Sequence, residues 1–303
     1  MTTNTRSDPM ATDRPALGIV LRIVSGALFA AMAIVVKALS DHVPVGQIVF
    51  FRSAFALIPL VAFLWMRSEF PGGLATKRPF GHLLRSMFGA AAMFASFASI
   101  ARLPLAEATL ISYLSPVFTT MAGVVILSER ATAWRVGGVL LGVGGVVALV
   151  WPEIGQDSWD SSRMAGYALA LLMGLLTALA LIMVRSLSRT ENPGAIAFYF
   201  VVASMIGGIA TLPFGWIWPD MQSLILLVLA GIFGGLAHIA MTLAFRNAEA
   251  SLLAPFEYLA ILWPVLADLV IFQTPINPAF VISMPLVLAG AGLAAIGTRR
   301  GTT

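Results

Sequence analysis

The chain contains no cysteine, which excludes disulfides, thiolate catalysis and cysteine-ligated metals. It is almost as poor in charge. Asp, Glu, Lys and Arg make up 11% of its 303 residues, against about 25% in a soluble domain. So little polar surface cannot keep a folded domain in water. Only three histidines occur, His42, His82 and His238, and the first two are expected near opposite membrane faces. There is no HExxH, no GxSxG, no glycine-rich phosphate loop and no cluster with metal-ligand spacing. These absences argue against an enzyme, a bound metal and a cofactor.

What fills the chain instead is apolar sequence: 59% hydrophobic residues and a mean hydropathy of +0.93. Runs of about 20 apolar residues, long enough to cross a hydrocarbon core of about 30 Å, recur from end to end. Backbone groups have no water partner there, so spanning segments are helices or barrel strands. These runs are too long for barrel strands and do not alternate apolar with polar residues. The expected fold class is an all-α membrane protein with ten transmembrane helices, at roughly 17–39, 45–66, 83–101, 105–127, 134–151, 164–186, 194–213, 222–245, 249–272 and 278–297. Residues 1–16 are polar, lack a signal-peptide core, and read as a disordered cytoplasmic tail. The first five-helix half is expected over 17–151, a linker over 152–163, the second half over 164–297 and a cytoplasmic tail over 298–303.

The net charge of +4 and pI near 10 raise the question of nucleic acid, and charge placement answers it. With the N-terminus cytoplasmic, Arg6, Arg14, Arg22, Arg67, Lys77, Arg78, Arg85, Arg130, Arg135, Arg185, Arg189, Arg246, Arg299 and Arg300 fall on the inner side. Only Lys37, Arg102 and Arg163 fall outside, and Arg52 sits within a helix. An excess of cations on the cytoplasmic side orients membrane proteins. The basic pI is therefore topogenic, and the expectation is a multi-pass inner-membrane protein with both termini cytoplasmic and no nucleic-acid partner.

An internal repeat organises the helices. Shifted by 148 residues, GALFAAMAIVVKALS (26–40) lies on GLLTALALIMVRSLS (174–188), with seven of fifteen positions identical and Lys37 on Arg185. Apolar composition alone gives roughly two. QIVFF (47–51) falls on AIAFY (195–199) at the same offset. AEATLIS (106–112) echoes AEASLLA (248–254), and LGVGGVVAL (141–149) echoes LAGAGLAAI (288–296). Five helices per half is odd, so the second half enters from the opposite side. Such inverted repeats are a recurring transporter architecture, in which two similar halves expose one central site to either side in turn.

Two blocks carry a wider resemblance. One is AEATLISYLSPVF (106–118), followed by the helix exit LSER (127–130) and GGVLLGVGGVV (137–147). The other is AEASLLAPFEYLAILWPV (248–265), followed by LAGAGLAAIG (288–297). In these the chain resembles the ten-helix EamA-type branch of the drug/metabolite transporter superfamily. The resemblance covers essentially the whole chain. It implies a central cavity and alternating access, and its overall pattern is similar to bacterial exporters of amino acids, aromatic ones included. Where the family's second half commonly carries a Glu matching Glu129, this chain has Gln273, so no role for that Glu carries over.

The fourth and ninth helices, equivalent in the repeat, both contain prolines: Pro116 in one, Pro255 and Pro264 in the other. Proline removes a backbone donor and frees a carbonyl one turn earlier. Matched interruptions in two halves point to a binding site. Ionisable groups within a membrane cost roughly 2.5–3.5 kcal/mol each, so each asks for a reason. Glu257 and Asp268 share one stripe of the ninth helix, His238 lies at the depth of Glu257, and Arg52 at that of Asp268. Two readings stand side by side. In one, Glu257 and Arg52 meet the ammonium and carboxylate of an amino acid in a wet cavity. In the other, Glu257 pairs with His238 and Asp268 with Arg52, or Asp268 is simply solvated. His238 is also a candidate for proton coupling.

Tyr113, Tyr258 and Trp263 lie near the breaks and are candidates for stacking on a substrate side chain. Trp65, Trp134, Trp151, Trp216 and Trp218 fall near helix ends, as an interfacial belt requires. Ser112, Ser96, Ser99 and Thr177 offer hydrogen bonds or close helix contacts. The fifth and tenth helices, rich in glycine and alanine, can pack inside the monomer or form a dimer seam; packing inside the monomer is the default expectation, with oligomeric state left open. The functional expectation is an alternating-access exporter of amino acids or similar small metabolites, with the lipid bilayer as its surroundings. A carrier of another metabolite class (nucleoside, sugar, organic cation) and a channel are the competing readings.

Overall fold

The computed structural model describes residues 14–126, 132–154 and 160–300. Residues 1–13 of the expected tail, Glu129 in the LSER exit, 155–159 of the linker and 301–303 lie outside this range. The described residues form twelve helices: α1 (Pro15–Leu39), α2 (Val45–Met66), α3 (Pro79–Ile100), α4 (Leu105–Ser112), α5 (Ser115–Ile126), α6 (Ala133–Ile154), α7 (Ser161–Leu187), α8 (Pro193–Ile209), α9 (Met221–Asn247), α10 (Ala250–Leu259), α11 (Leu262–Val270) and α12 (Pro278–Arg300). Six of these, α1, α2, α3, α6, α7 and α9, are each long and apolar enough to cross a membrane. The shorter apolar helix α8 and the stretch Pro278–Ala294 of α12 add two more. The pairs α4–α5 and α10–α11 complete ten spans, each as one segment broken in its middle.

Local chemistry sets the helix starts. Prolines open α1, α3, α8 and α12, where the fixed φ suits the first turn and the missing N–H is one the helix cannot use. Pro79 therefore starts the third span four residues earlier than hydropathy places it. Asp160, Asn192 and Asp220 cap α7, α8 and α9 by accepting from first-turn amides, as N-cap side chains do.

The two halves interlock rather than sit side by side. Under the repeat, α1 corresponds to α7 and α3 to α9. Accordingly α1 packs on α9 and α3 packs on α7, two equivalent contacts that each cross between halves. Helix α2 packs on its counterpart α8, and α6 on its counterpart α12. The α6–α12 seam is built from glycine, which places the two glycine-rich helices against each other inside the monomer. A Cβ on Gly138 would stand 2.6 Å from the Ala294 nitrogen and 2.8 Å from the Gly290 carbonyl, and one on Gly290 would strike the Gly142 backbone. Backbones approach this closely only where side chains are absent. The α2–α9 seam works similarly, with Gly231 against Phe55 and the Arg52 carbonyl, and Gly235 against Pro59 and Ala56.

Away from these seams the bundle presents apolar side chains outward. Trp65, Trp134, Trp151 and Trp218 are exposed near span ends, the belt expected of interfacial tryptophans. Trp216 departs from the expectation. It is half-buried, its indole N–H donates to the Thr211 hydroxyl at 2.9 Å, and its ring packs on Phe50.

Gly138→Leu should force α6 from α12 against backbone atoms that cannot yield, costing about 1–3 kcal/mol or more. Gly137→Leu, where a Cβ meets open space, should be tolerated. Thermal unfolding of both variants in detergent checks this; equal stability would contradict the seam.

Candidate functional site

Each broken span has a tight turn at its centre. In the first, α4 ends at Ser112 and α5 begins at Ser115. Pro116 has no N–H to give the Ser112 carbonyl, and the Ser115 hydroxyl donates to that carbonyl instead, at 2.7 Å. In the second, α10 ends at Leu259 and α11 begins at Leu262. Pro264 leaves the Ala260 carbonyl, which accepts from the Trp263 N–H at 3.3 Å. Pro116 and Pro264 thus open the second segment of each span, and they are 148 positions apart, the offset of the repeat. Pro255 differs from the expectation. It lies inside α10, at the sixth of its ten residues, and the helix continues past it to Leu259.

A cavity of about 350 Å³ lies at these breaks, among α1, α3, α4 and α10. Its polar groups are Arg22, Glu257, Tyr113, Thr109, Ser112, Ser96 and Ser99, and its apolar wall includes Phe29, Phe97 and Met173. Glu257 does not pair with His238. Its carboxylate meets Arg22 at 3.1 Å, with the Arg22 side chain buried and that of Glu257 47% exposed. The Tyr113 hydroxyl donates to the Glu257 carbonyl at 3.0 Å, tying one break to the other. Tyr258 sits edge-on to Tyr113, with ring centroids 5.6 Å apart, and does not line the cavity. Trp263 is placed elsewhere. It is 41% exposed, on an outward apolar face with Ile23, Phe256, Leu259 and Leu266. Sequence fixes its depth along the helix but not the direction it faces.

A second chamber of about 320 Å³ shares Phe29, Met32, Ser96, Phe97 and Met173 with the first, so the two are contiguous. Arg52, Arg85, His238, Thr177 and Phe200 line it. Arg52 is therefore not paired with Asp268. His238 sits edge-on to Phe29 at 5.0 Å and near Phe200 at 6.4 Å. The Arg85 guanidinium lies 4.3 Å from the Phe200 ring centre. Arg22 and Arg85, counted by sequence among inner-surface cations, thus both reach into the bundle. The repeat places Arg52 on Phe200, so one half supplies a cation where the other supplies an aromatic ring.

Comparison with known proteins bears on this architecture. The family model described as the EamA-like transporter family matches the chain twice, over residues 16–151 and 164–296. The chain belongs to the EamA-like transporter family. The two matches coincide with the two five-helix halves. It is 28% identical to a pseudopaline exporter of Pseudomonas aeruginosa over 84% of this chain and 87% of that one. It is 26% identical to a riboflavin transporter of Rhizobium johnstonii, over 89% and 87%, and 25% identical to an S-adenosylmethionine uptake transporter of Rickettsia bellii, over 75% of each. A solved crystal structure shares the fold at a TM-score of 0.65 and 20% identity, covering 94% of this chain and 98% of that one. This EamA-family protein is a multi-pass membrane transporter of small molecules, not an enzyme.

Two buried clusters that the sequence does not reveal hold α4 beside the cavity. Pro104 precedes α4 and offers no side-chain cap. Asp268 of α11 supplies one, accepting from the Leu105 and Ala106 amides at 3.0 and 2.8 Å. It is 1% exposed, so it is neither solvated nor paired with Arg52. Negative charge at a helix N-terminus is favourable, and Leu105 and Ala106 are buried in the protein, where their amides need a partner. At the next residue, buried Glu107 accepts from Arg163 at 3.0 and 3.1 Å and from the Tyr167 hydroxyl at 2.7 Å, joining α4 to α7. Glu107 lies in the AEA block echoed in both halves, and an ionisable residue there was the signal available in sequence.

Asp268→Ala should lower stability by about 1–2 kcal/mol, the worth of an N-cap, and Asp268→Asn should lose less because an amide oxygen still accepts one bond. Thermal unfolding in detergent measures both. An alanine variant as stable as the parent would exclude the cap.

Proposed function

We propose that this EamA-family transporter exports amino acids, aromatic ones included, or closely similar metabolites across the inner membrane, by alternating access through the cavity at the paired breaks. Both termini are taken as cytoplasmic, the side to which the excess of Lys and Arg assigns them.

The observation that carries the reading is the ion pair between buried Arg22 and half-exposed Glu257, in a cavity otherwise walled by apolar side chains, Phe29 and Phe97 among them, and hydroxyls. A volume of about 350 Å³ lies in the range of small-metabolite pockets. An α-amino acid brings an ammonium group that Glu257 can accept while Arg22 turns to the carboxylate. Exchanging one ion pair for two leaves no buried charge uncompensated, which is where the cost would lie. Phe29 and Phe97 offer surface to an apolar or aromatic side chain. Breaks in two equivalent spans support movement, since a broken helix can repack about its turn where a continuous one resists. The relatives that carry pseudopaline, riboflavin and S-adenosylmethionine support metabolite transport in general. Export is the direction of the first of these by name.

The test is flux of labelled phenylalanine in proteoliposomes. Saturable flux inhibited by unlabelled amino acids is expected. Glu257→Gln should weaken it roughly 10- to 100-fold, the worth of a charge-assisted hydrogen bond, with folded protein retained. A screen in which only nucleosides, sugars or organic cations move would overturn the amino-acid reading, and flux that never saturates would indicate a channel.

A further inference from the structure

The chamber beside the Glu257 cavity has an unbalanced charge. Arg52 and Arg85 line it and no carboxylate does. Arg52 is 2% exposed. The Nε and Nη1 atoms of both arginines are buried without a hydrogen-bond partner among the described residues. A guanidinium offers five N–H donors in a fixed fork and does not lose its charge. Leaving such donors unpaired out of water costs far more than leaving them exposed. Among the described residues, Glu107 is matched with Arg163, His82 with Glu191 and Asp268 with backbone amides. The two chamber arginines have no such carboxylate partner among the described residues.

The sequence also makes room for the two forks. A Cβ on Gly234 would stand 2.9 Å from Arg52 Nε, and one on Gly89 would collide with Arg85 Nη1. Arg52 lies early in α2 and Arg85 early in α3, successive antiparallel helices, so the two side chains enter the chamber from opposite ends of the bundle. Phe200 lies under Arg85, holding its plane without neutralising it. Each guanidinium fork with unpaired donors matches the geometry of a carboxylate or phosphate, and both line one chamber.

We propose that the Arg52–Arg85 chamber is an oxyanion subsite, and that preferred substrates carry an acidic group held there in addition to the groups that meet Arg22 and Glu257. This rests on the transporter reading for its physiological meaning, though not for its test. The cargo class it names is an amino acid or related metabolite with a second carboxylate, net negative rather than zwitterionic.

The experiment is thermal unfolding of the full-length protein, delipidated in dodecyl maltoside, with 3-phenylpropionate as probe. This probe has a carboxylate and a ring but no ammonium, so its binding does not depend on Glu257 or on amino-acid transport. It should stabilise the parent, whereas the uncharged 3-phenylpropionamide should not. Arg52→Met and Arg85→Met should each bind it roughly 10- to 100-fold more weakly, and Arg85→Lys should bind with intermediate affinity. Without ligand, both methionine variants should be as stable as the parent or more so, because an uncompensated buried charge has been removed. Equal stabilisation of parent and methionine variants would overturn the subsite. So would a loss of ligand-free stability in both Arg52→Met and Arg85→Met together with an unaltered response in Arg85→Lys, the mark of a purely structural role. An arginine-dependent shift given by added phosphatidylglycerol but not by 3-phenylpropionate would assign the chamber to a lipid headgroup and overturn the substrate proposal. If flux assays find no amino acid moved while 3-phenylpropionate still binds through the arginines, the subsite stands and the amino-acid reading falls.

Discussion

A chain that crosses a bilayer must satisfy its backbone amides and carbonyls from within the protein, and the two broken spans are where that constraint is hardest to meet. Each break exposes the ends of two short helices at mid-membrane. Side chains at the breaks close these ends: the Ser115 hydroxyl on the Ser112 carbonyl and the Tyr113 hydroxyl on the Glu257 carbonyl, while at the far end of α4 the Asp268 carboxylate takes the first amides. Irregular backbone at this depth is tolerated where it is buried in protein or lines a polar cavity. Here it does both. The cavity follows from the breaks, and the groups that satisfy the breaks also shape its walls.

The inverted repeat explains why the breaks come as a pair and why the halves cannot be separated. Because α1 packs on α9 and α3 on α7, each half completes the other's core. The glycine seam between α6 and α12 binds counterpart helices closely at one side of the bundle. Anchors of the Glu107–Arg163–Tyr167 kind then fix α4 to α7. Symmetry of the scaffold does not extend to the chemistry inside it. Arg52 has Phe200 as its counterpart under the repeat, and across the two chambers Arg22, Arg52 and Arg85 come from the first half and Glu257 alone from the second. A symmetric frame with an asymmetric interior suits a carrier that presents one site to two sides.

Much of this is legible in sequence because hydropathy, proline and repeats are local or periodic signals. The ten spans follow from apolar runs, the halves from the 148-residue offset, and the two breaks from Pro116 and Pro264. Pro255 misleads because an interior proline removes one backbone hydrogen bond without necessarily ending the helix, and α10 continues past it to Leu259. Side-chain partners are a different matter. Asp268 caps amides 162 positions away, and depth within the membrane does not reveal which neighbour a residue faces. That is why Glu257 pairs with Arg22 rather than His238, and why Trp263 faces outward. Charge counting also misplaces Arg22 and Arg85, since a long side chain starting near a span end can turn inward as readily as toward the surface.

The absence of cysteine makes the central claim of alternating access directly measurable. Ser96 lines both contiguous chambers, and Ser96→Cys would introduce the protein's first thiol. Labelling in oriented membrane vesicles with a membrane-impermeant maleimide, applied from either side, reads out which face the cavity opens to. Alternating access requires modification from both sides, with each rate changed by a transported substrate. Modification from one side alone, unaltered by any transported solute, would contradict it.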